Sequence, residues 1–248
     1  ASGDASGGVV LAVDVGTTAV KACAVDARGG LLAASARRYP SGTICGPNGE
    51  VEQVPREWWE CSVGAMQECC AQLQQQQAEA QGVGERSHQV CAISFSGQMQ
   101  DLVLVDERGE ALRNAILYSD TRARAQAAYI VDTMGEEALA REASNFKGAT
   151  AILAKWLWLH EHEPQLLRAA RGMFLSAHHY VACALVSRGL EATLAPAAAA
   201  PAPLTLVDRT TASTTGLLAP RCDAAAAAGD CASDDASGEA AAGARWSA

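Results

Sequence analysis

The stretch "VVLAVDVGTTAVKACAVD", Val9 to Asp26, sets two apolar runs on either side of a small turn with a carboxylate at its lip. Val9 to Val15 is apolar on both faces apart from Asp14, the pattern of a strand buried between two layers. Val20 to Val25 predicts its hairpin partner, and Leu31 to Tyr39 follows the turn at Asp26-Ala27-Arg28-Gly29-Gly30. Together they predict an antiparallel three-strand meander. A charge at the end of such a strand needs a reason, and a ligand outside the chain is one.

The turn itself suggests which ligand. A carboxylate at a strand end can hold hydrated Mg²⁺, which takes one or two carboxylates together with phosphate oxygens. Gly16 lets the backbone come close to a phosphate, and the turn N–H groups with the Thr17 and Thr18 hydroxyls can donate to its oxygens. Lys21, three residues on, adds a positive charge. The competing reading is a plain hairpin with a polar turn. No GxxxxGK[ST] loop is present, so a Walker-type phosphate cradle is excluded.

Beyond the meander the pattern alternates. Pro55 to about Gln81 predicts a helix, with Pro55 in its first turn and Trp59, Val63, Met66, Cys70 and Leu73 as its apolar stripe. Val90 to Phe95 predicts a strand that ends in Ser96-Gly97-Gln98-Met99-Gln100, with further strands over Leu102–Val105 and Ala115–Tyr118. Helices are expected over Thr121–Met134, Ala151–His162 and Ala177 to about Ser187. Asp120 stands where a helix N-cap would be. Residues 1–8 read as a flexible lead-in, and Ala192–Pro203 is an Ala/Pro tract. Residues 219–248 have no periodicity and read as disordered.

Composition narrows the partners. A net charge of -9 argues against nucleic acid and against an anionic membrane surface, and no apolar run has the length of a span. The 9 cysteines contain no CxxC pair, so they read as reduced, mostly small core residues in a reducing compartment, the cytoplasm or an organelle. His160-Glu161-His162 and His178-His179 lack a third ligand at metal-site spacing and carry no metal assignment.

The order of the pieces then matters more than any one. "LAVDVGTTAVKACAVD", "PREWWE", "ISFSGQMQDLVLVDERGEALRNAILYSDTRA", "NFKGATAILAKWLWLHEHEP" and "DRTTASTTGL" together resemble the amino-terminal half of the FGGY carbohydrate kinases, most of all the xylulokinase-like ones. The resemblance covers residues 9–218. It implies an α/β domain of ribonuclease-H-like (actin/hexokinase-like) fold, with a mixed sheet beginning in the meander. It implies ATP-dependent phosphorylation of a small sugar, xylulose or a related pentulose. Asp14 would serve Mg, while Gly16, Thr17, Thr18 and Lys21 face the transferring phosphate. Gln98, Met99 and Gln100 would line the sugar pocket, and Asp120 and Arg122 match the D-x-R bordering it. Xylulokinases usually have His where this chain has Gln100. Lys155 and Trp158 match a helix-packing phrase.

In the family the catalytic base is an aspartate in a Gly-Gly-Asp-like phrase that opens the second domain. Nothing after Leu218 resembles that phrase, so this sequence is expected to lack the nucleotide-side domain and to be inactive alone. A non-catalytic sugar-binding or regulatory protein on the same scaffold, and a scaffold for protein contacts, are the alternatives.

Overall fold

A computed structural model describes residues 8–80, 88–143 and 146–193. The expectations for residues 1–7, for the Ala/Pro tract from Leu194 on, for the "DRTTASTTGL" phrase and for residues 219–248 lie outside the described residues. The meander forms as expected, with β1 (Gly8–Val15), β2 (Ala19–Asp26) and β3 (Leu31–Arg38) paired antiparallel. The turn after β2 is closed by the Asp26 carboxylate, which accepts the N–H groups of Arg28 (2.8 Å) and Gly30 (2.7 Å).

The fourth strand of this sheet comes from far along the chain. β6 (Gln89–Gly97) pairs parallel to β1, giving the order β3-β2-β1-β6. Such a parallel neighbour requires a crossover, which contains the helix α1 (Pro55–Ala80). α1 covers one face of the sheet, burying Val9, Leu11, Val13 and Val15 of β1 with Val20, Ala22 and Ala24 of β2. The other face differs from expectation. Val10 there is 37% exposed and Ala12 and Asp14 are half-buried, so among the described residues β1 is covered on one side only.

The stripe on α1 is also displaced by one residue from the expected one. Trp58, Cys61, Ala65 and Cys69 are buried with Met66 and Leu73, while Trp59, Val63 and Cys70 pack at the margin. The physical reason is a second neighbour. Trp58 meets Tyr180 of α6 (Ala177–Thr193) edge-on at 6.3 Å, so α1 is wedged between sheet and helix rather than laid on one surface.

A second sheet completes the core. It orders β4 (Ile44–Cys45), β5 (Val51–Gln53), β8 (Ala115–Ile116), β7 (Met99–Val105) and β9 (Gly172–Ser176) as β4-β5-β8-β7-β9, all antiparallel. Its Leu102, Leu104, Ile116 and Leu175 pack against Ile152 and Leu159 of α4 (Ile152–His162). α2 (Arg124–Met134), α3 (Glu136–Glu142) and α5 (Pro164–Ala169) fill the remaining helical layer. β4, β5, β9, α3 and α5 were not foreseen, being too short to carry a periodic signal. The described cysteines, none in a disulfide, are less buried than expected: Cys61, Cys69 and Cys183 are buried, while Cys45 and Cys91 are exposed. No helix of the described residues is long and apolar enough to cross a membrane.

Gly97 closes β6 where two backbones touch: a Cβ there would stand 2.4 Å from Val15 O. Gly97→Ala must push β6 away from β1. We expect it to lower the unfolding free energy by about 1–3 kcal/mol, seen as a lower urea midpoint at unchanged m.

Candidate functional site

Asp14 sits one residue before the end of β1, on the uncovered face of the first sheet. Its cross-strand neighbours are Lys21 on β2 and Ser96 on β6. The Ser96 hydroxyl donates to Asp14 Oδ1 at 3.2 Å. All three line an open groove of about 670 Å³, floored by small side chains such as Ala12, Cys23 and Ala36. The turn beyond is anchored through its carbonyls. Tyr39 Oη donates to Gly16 O at 2.7 Å, and Gln53 Nε2 donates to Thr17 O at 2.6 Å. Thr18 is exposed and Thr17 half-buried. Gly16 is outside the left-handed region, so its value is its missing side chain: a Cβ would stand 3.7 Å from Asp14 Oδ2 and 3.2 Å from Ala19 O.

The Gln98–Gln100 segment begins where β6 stops. Gln98 N donates to Val15 O at 3.0 Å, which ties the segment directly to the end of β1. The Gln98 side chain is buried and its Nε2 donates to Gln53 Oε1 at 2.9 Å, while its buried Oε1 has no hydrogen-bond partner among the described residues. Met99 is 38% exposed. Gln100 is the one non-glycine residue with positive φ among those described, at 65°. That strained backbone is held from below, because Lys155 Nζ donates to Leu117 O (2.6 Å) and Gln100 O (3.4 Å). Lys155 thus fastens the Gln98–Gln100 bend to the exit of β8, a larger role than the helix packing expected from sequence. A lysine inside the apolar run "AILAKWLWL" was the available signal.

Asp120 and Arg122 come together, but inside the fold. Asp120 is fully buried and its Oδ2 accepts the Val51 N–H at 2.6 Å. It does not cap a helix: α2 begins at Arg124, with Ala123 in the cap position. The Arg122 guanidinium donates to both Asp120 oxygens (Nε 3.1 and 3.0 Å, Nη2 2.7 Å) and to Glu52 Oε1 (2.7 Å), and lies 4.9 Å from the Trp158 ring centroid. Its side chain is 4% exposed, and neither residue lines the groove at Asp14. Gln53 and Asp101 were missed entirely. A short strand "VEQ" offers no pattern that marks its glutamine. The four histidines of the two His pairs sit in aromatic contacts instead: His160 and His162 stack on Trp156 and Trp158, and His178 lies against His179.

Residues 9–218 match the N-terminal domain of the FGGY family of carbohydrate kinases. The chain belongs to that family. It is 33% identical over 186 residues to the xylulose kinase of Streptomyces coelicolor, covering 75% of this chain and 35% of the relative. It is 35% identical over 173 residues to the xylulose kinase of Bacillus subtilis, covering 69% and 32%. The fold is shared with the crystal structure of xylulose kinase from Rhodospirillum rubrum (TM-score 0.67, 23% identity, 84% of this chain and 38% of that one). It is shared too with Plasmodium falciparum glycerol kinase with ADP (TM-score 0.63, 16% identity, 86% and 38%). The chain spans about a third of the length of the curated relatives it matches.

In this FGGY domain the donor set at the turn suits magnesium and a phosphate: one carboxylate with a free oxygen, a glycine that leaves room, two threonines and a lysine. Behind it, two buried ionisable groups, Asp101 and Lys155, sit near the Gln98–Gln100 bend. Burial pushes the Asp101 carboxyl up to about 7, against the pull of the Tyr118 N–H, Lys155 and the Ala177 N–H. The Tyr118 N–H donates to Asp101 Oδ1 at 3.1 Å, Oδ2 has no hydrogen-bond partner among the described residues, and the Ala177 N–H donates to Gln98 O at 3.3 Å. Burial also draws Lys155 down to about 8, opposed by Asp120 and Asp101.

Asp101 titrates above an unfolded carboxylate, so the folded chain holds the extra proton between pH ~4 and 7 and stability falls across that interval. Lys155 titrates below an unfolded lysine, so stability rises between pH ~8 and 10. Urea unfolding against pH should show Asp101→Asn removing the fall and Lys155→Met removing the rise. Parallel curves for wild type and variants would contradict this.

Proposed function

We propose that this chain provides the sugar- and phosphate-positioning part of an ATP-dependent sugar kinase acting on a hydroxyl of xylulose or a related pentulose. Asp14 carries the reading. It stands at a strand end in an open groove, held through one oxygen by Ser96 and flanked by Lys21 and the Gly16-Thr17-Thr18 turn. The uncovered sheet ends at the carboxyl termini of two parallel strands, where ligands of open α/β sheets bind. The relatives' names supply the sugar class.

Asp14 would hold magnesium through its water shell, and the turn would hold the terminal phosphate of ATP with Lys21 beside it. Magnesium, when bound, neutralises charge that builds on the transferring phosphoryl group. The chain's own residues bind and orient. Thr17 and Thr18 donate to phosphate oxygens. Gln98, Met99 and Gln100 hold the sugar, with Gln98 Oε1 free to accept a hydroxyl. The Asp120–Arg122 pair, spent on Val51 and Glu52, keeps the bordering wall in place. The acceptor hydroxyl's proton goes to the base that the family resemblance assigns to the second domain. Its free thiols suit a reducing compartment, the cytoplasm.

Calorimetry tests this. Xylulose or ribulose should give saturable heat, weakened about tenfold by Gln98→Leu, the loss of one buried hydrogen-bonding group. Asp14→Asn should abolish the Mg²⁺ dependence of ATP binding while leaving sugar affinity within about twofold, since the carboxylate is the metal's ligand. Heat from neither pentulose nor Mg·ATP would sink the proposal.

A further inference from the structure

We infer that Gln53 relays sugar contact to the phosphate-side turn through three amides in series: Gln98, Gln53 and the Thr17–Thr18 peptide. Where it invokes sugar and phosphate, this rests on the function proposed above. The geometry begins with Gln53, 1% exposed at the end of β5. Its amide is fully engaged. Oε1 accepts from Trp58 Nε1 (2.9 Å) and Gln98 Nε2 (2.9 Å), while Nε2 donates to Thr17 O (2.6 Å) and Thr43 Oγ1 (3.3 Å).

The chemistry of the partners fixes the direction. An indole N–H only donates, so the Gln53 oxygen must face Trp58. A peptide carbonyl only accepts, so the Gln53 nitrogen must face Thr17. Gln98 must then turn its nitrogen to Gln53, which leaves its own buried oxygen as an acceptor without a donor among the described residues. A hydroxyl that donates to Gln98 Oε1 polarises that amide and makes its N–H a stronger donor to Gln53. The same step repeats from Gln53 to Thr17 O. The peptide unit that carries Thr17 O also carries the Thr18 N–H, on the phosphate side of the turn. Sugar and phosphate therefore bind with positive coupling, and Gln53 is a positioning residue for both.

The substitution Gln53→Glu separates this from plain packing. The ionised side chain keeps both acceptor contacts and loses the donor to Thr17 O. Protonation restores an O–H donor. On the full chain, ¹⁵N-resolved NMR without ligand should show the Thr18 amide shifted in Gln53→Glu once the pH is high enough to ionise the buried carboxyl, and returning as the pH is lowered through its titration, while the Trp58 indole signal holds. In wild type, xylulose titration should move the Gln98 side-chain and Thr18 amides with one Kd. In the ionised variant the Thr18 response should fall by about fivefold or more, with the Kd read at Gln98 within about threefold.

A Thr18 amide unmoved by the substitution, or a sugar response at Thr18 undiminished in it, overturns the relay. A wild type that answers no pentulose at all removes the sugar reading alone, and the ligand-free shifts then decide the relay. If Gln53→Glu is unfolded by circular dichroism, Gln53→Met carries the same two comparisons at one pH.

Discussion

The parallel pairing of β1 with β6 is the constraint on which the candidate site depends. It sets Asp14 beside Ser96 and Val15 beside Gly97, so two segments remote in sequence end at one place. Gly97 permits the contact because a side chain there would strike the Val15 carbonyl. The next residue, Gln98, returns its N–H to that same carbonyl. The Gly16–Thr18 turn and the Gln98–Gln100 bend thereby share one backbone junction. Moving β6 by a single residue would turn Ser96 away from Asp14 and Gln98 away from Gln53.

Around that junction the interior spends many polar groups. Glu52 bridges Arg113 and Arg122, Arg113 reaches on to Glu163 at 2.7 Å, and Asp120 holds both Arg122 and the β5 backbone. Burying such charges stabilises little once their desolvation is counted, but breaking any one pair leaves an uncompensated charge. The arrangement is better understood as fixing where short strands lie. β5 and β8 contribute only a few ladder bonds, and these ion pairs set their position relative to β7 and α4.

Some of this was legible beforehand. The Asp14 turn could be read because carboxylate, glycine and hydroxyls are neighbours in sequence and the flanking runs alternate cleanly. The α1 stripe could be read only to within a residue, since periodicity cannot say whether one surface or two will press on a helix. Tyr180 decided that Trp58, rather than Trp59, went inside. Asp120 looked like a helix cap because Thr121-Arg122 follows it. It does accept the Arg122 N–H two residues on, but its other backbone partner, the Val51 N–H, is distant in sequence and leaves no local mark. Gln53 was invisible for the same reason, as all four of its hydrogen bonds are to residues outside its own strand.

Taken alone, the order of residues determined what local chemistry can enforce: the meander, the crossover helix, the acidic turn, and membership of a kinase-like lineage. Tertiary structure decided which polar groups stay available. Arg122 had the credentials of a ligand-binding arginine, yet folding brings Asp120 and Glu52 onto its guanidinium and closes it off. Asp14 kept an oxygen free because the strands beside it carry small side chains and leave a groove open. The difference is physical. Hydrogen bonds and ion pairs saturate, and which donors saturate which acceptors is settled only when distant strands meet.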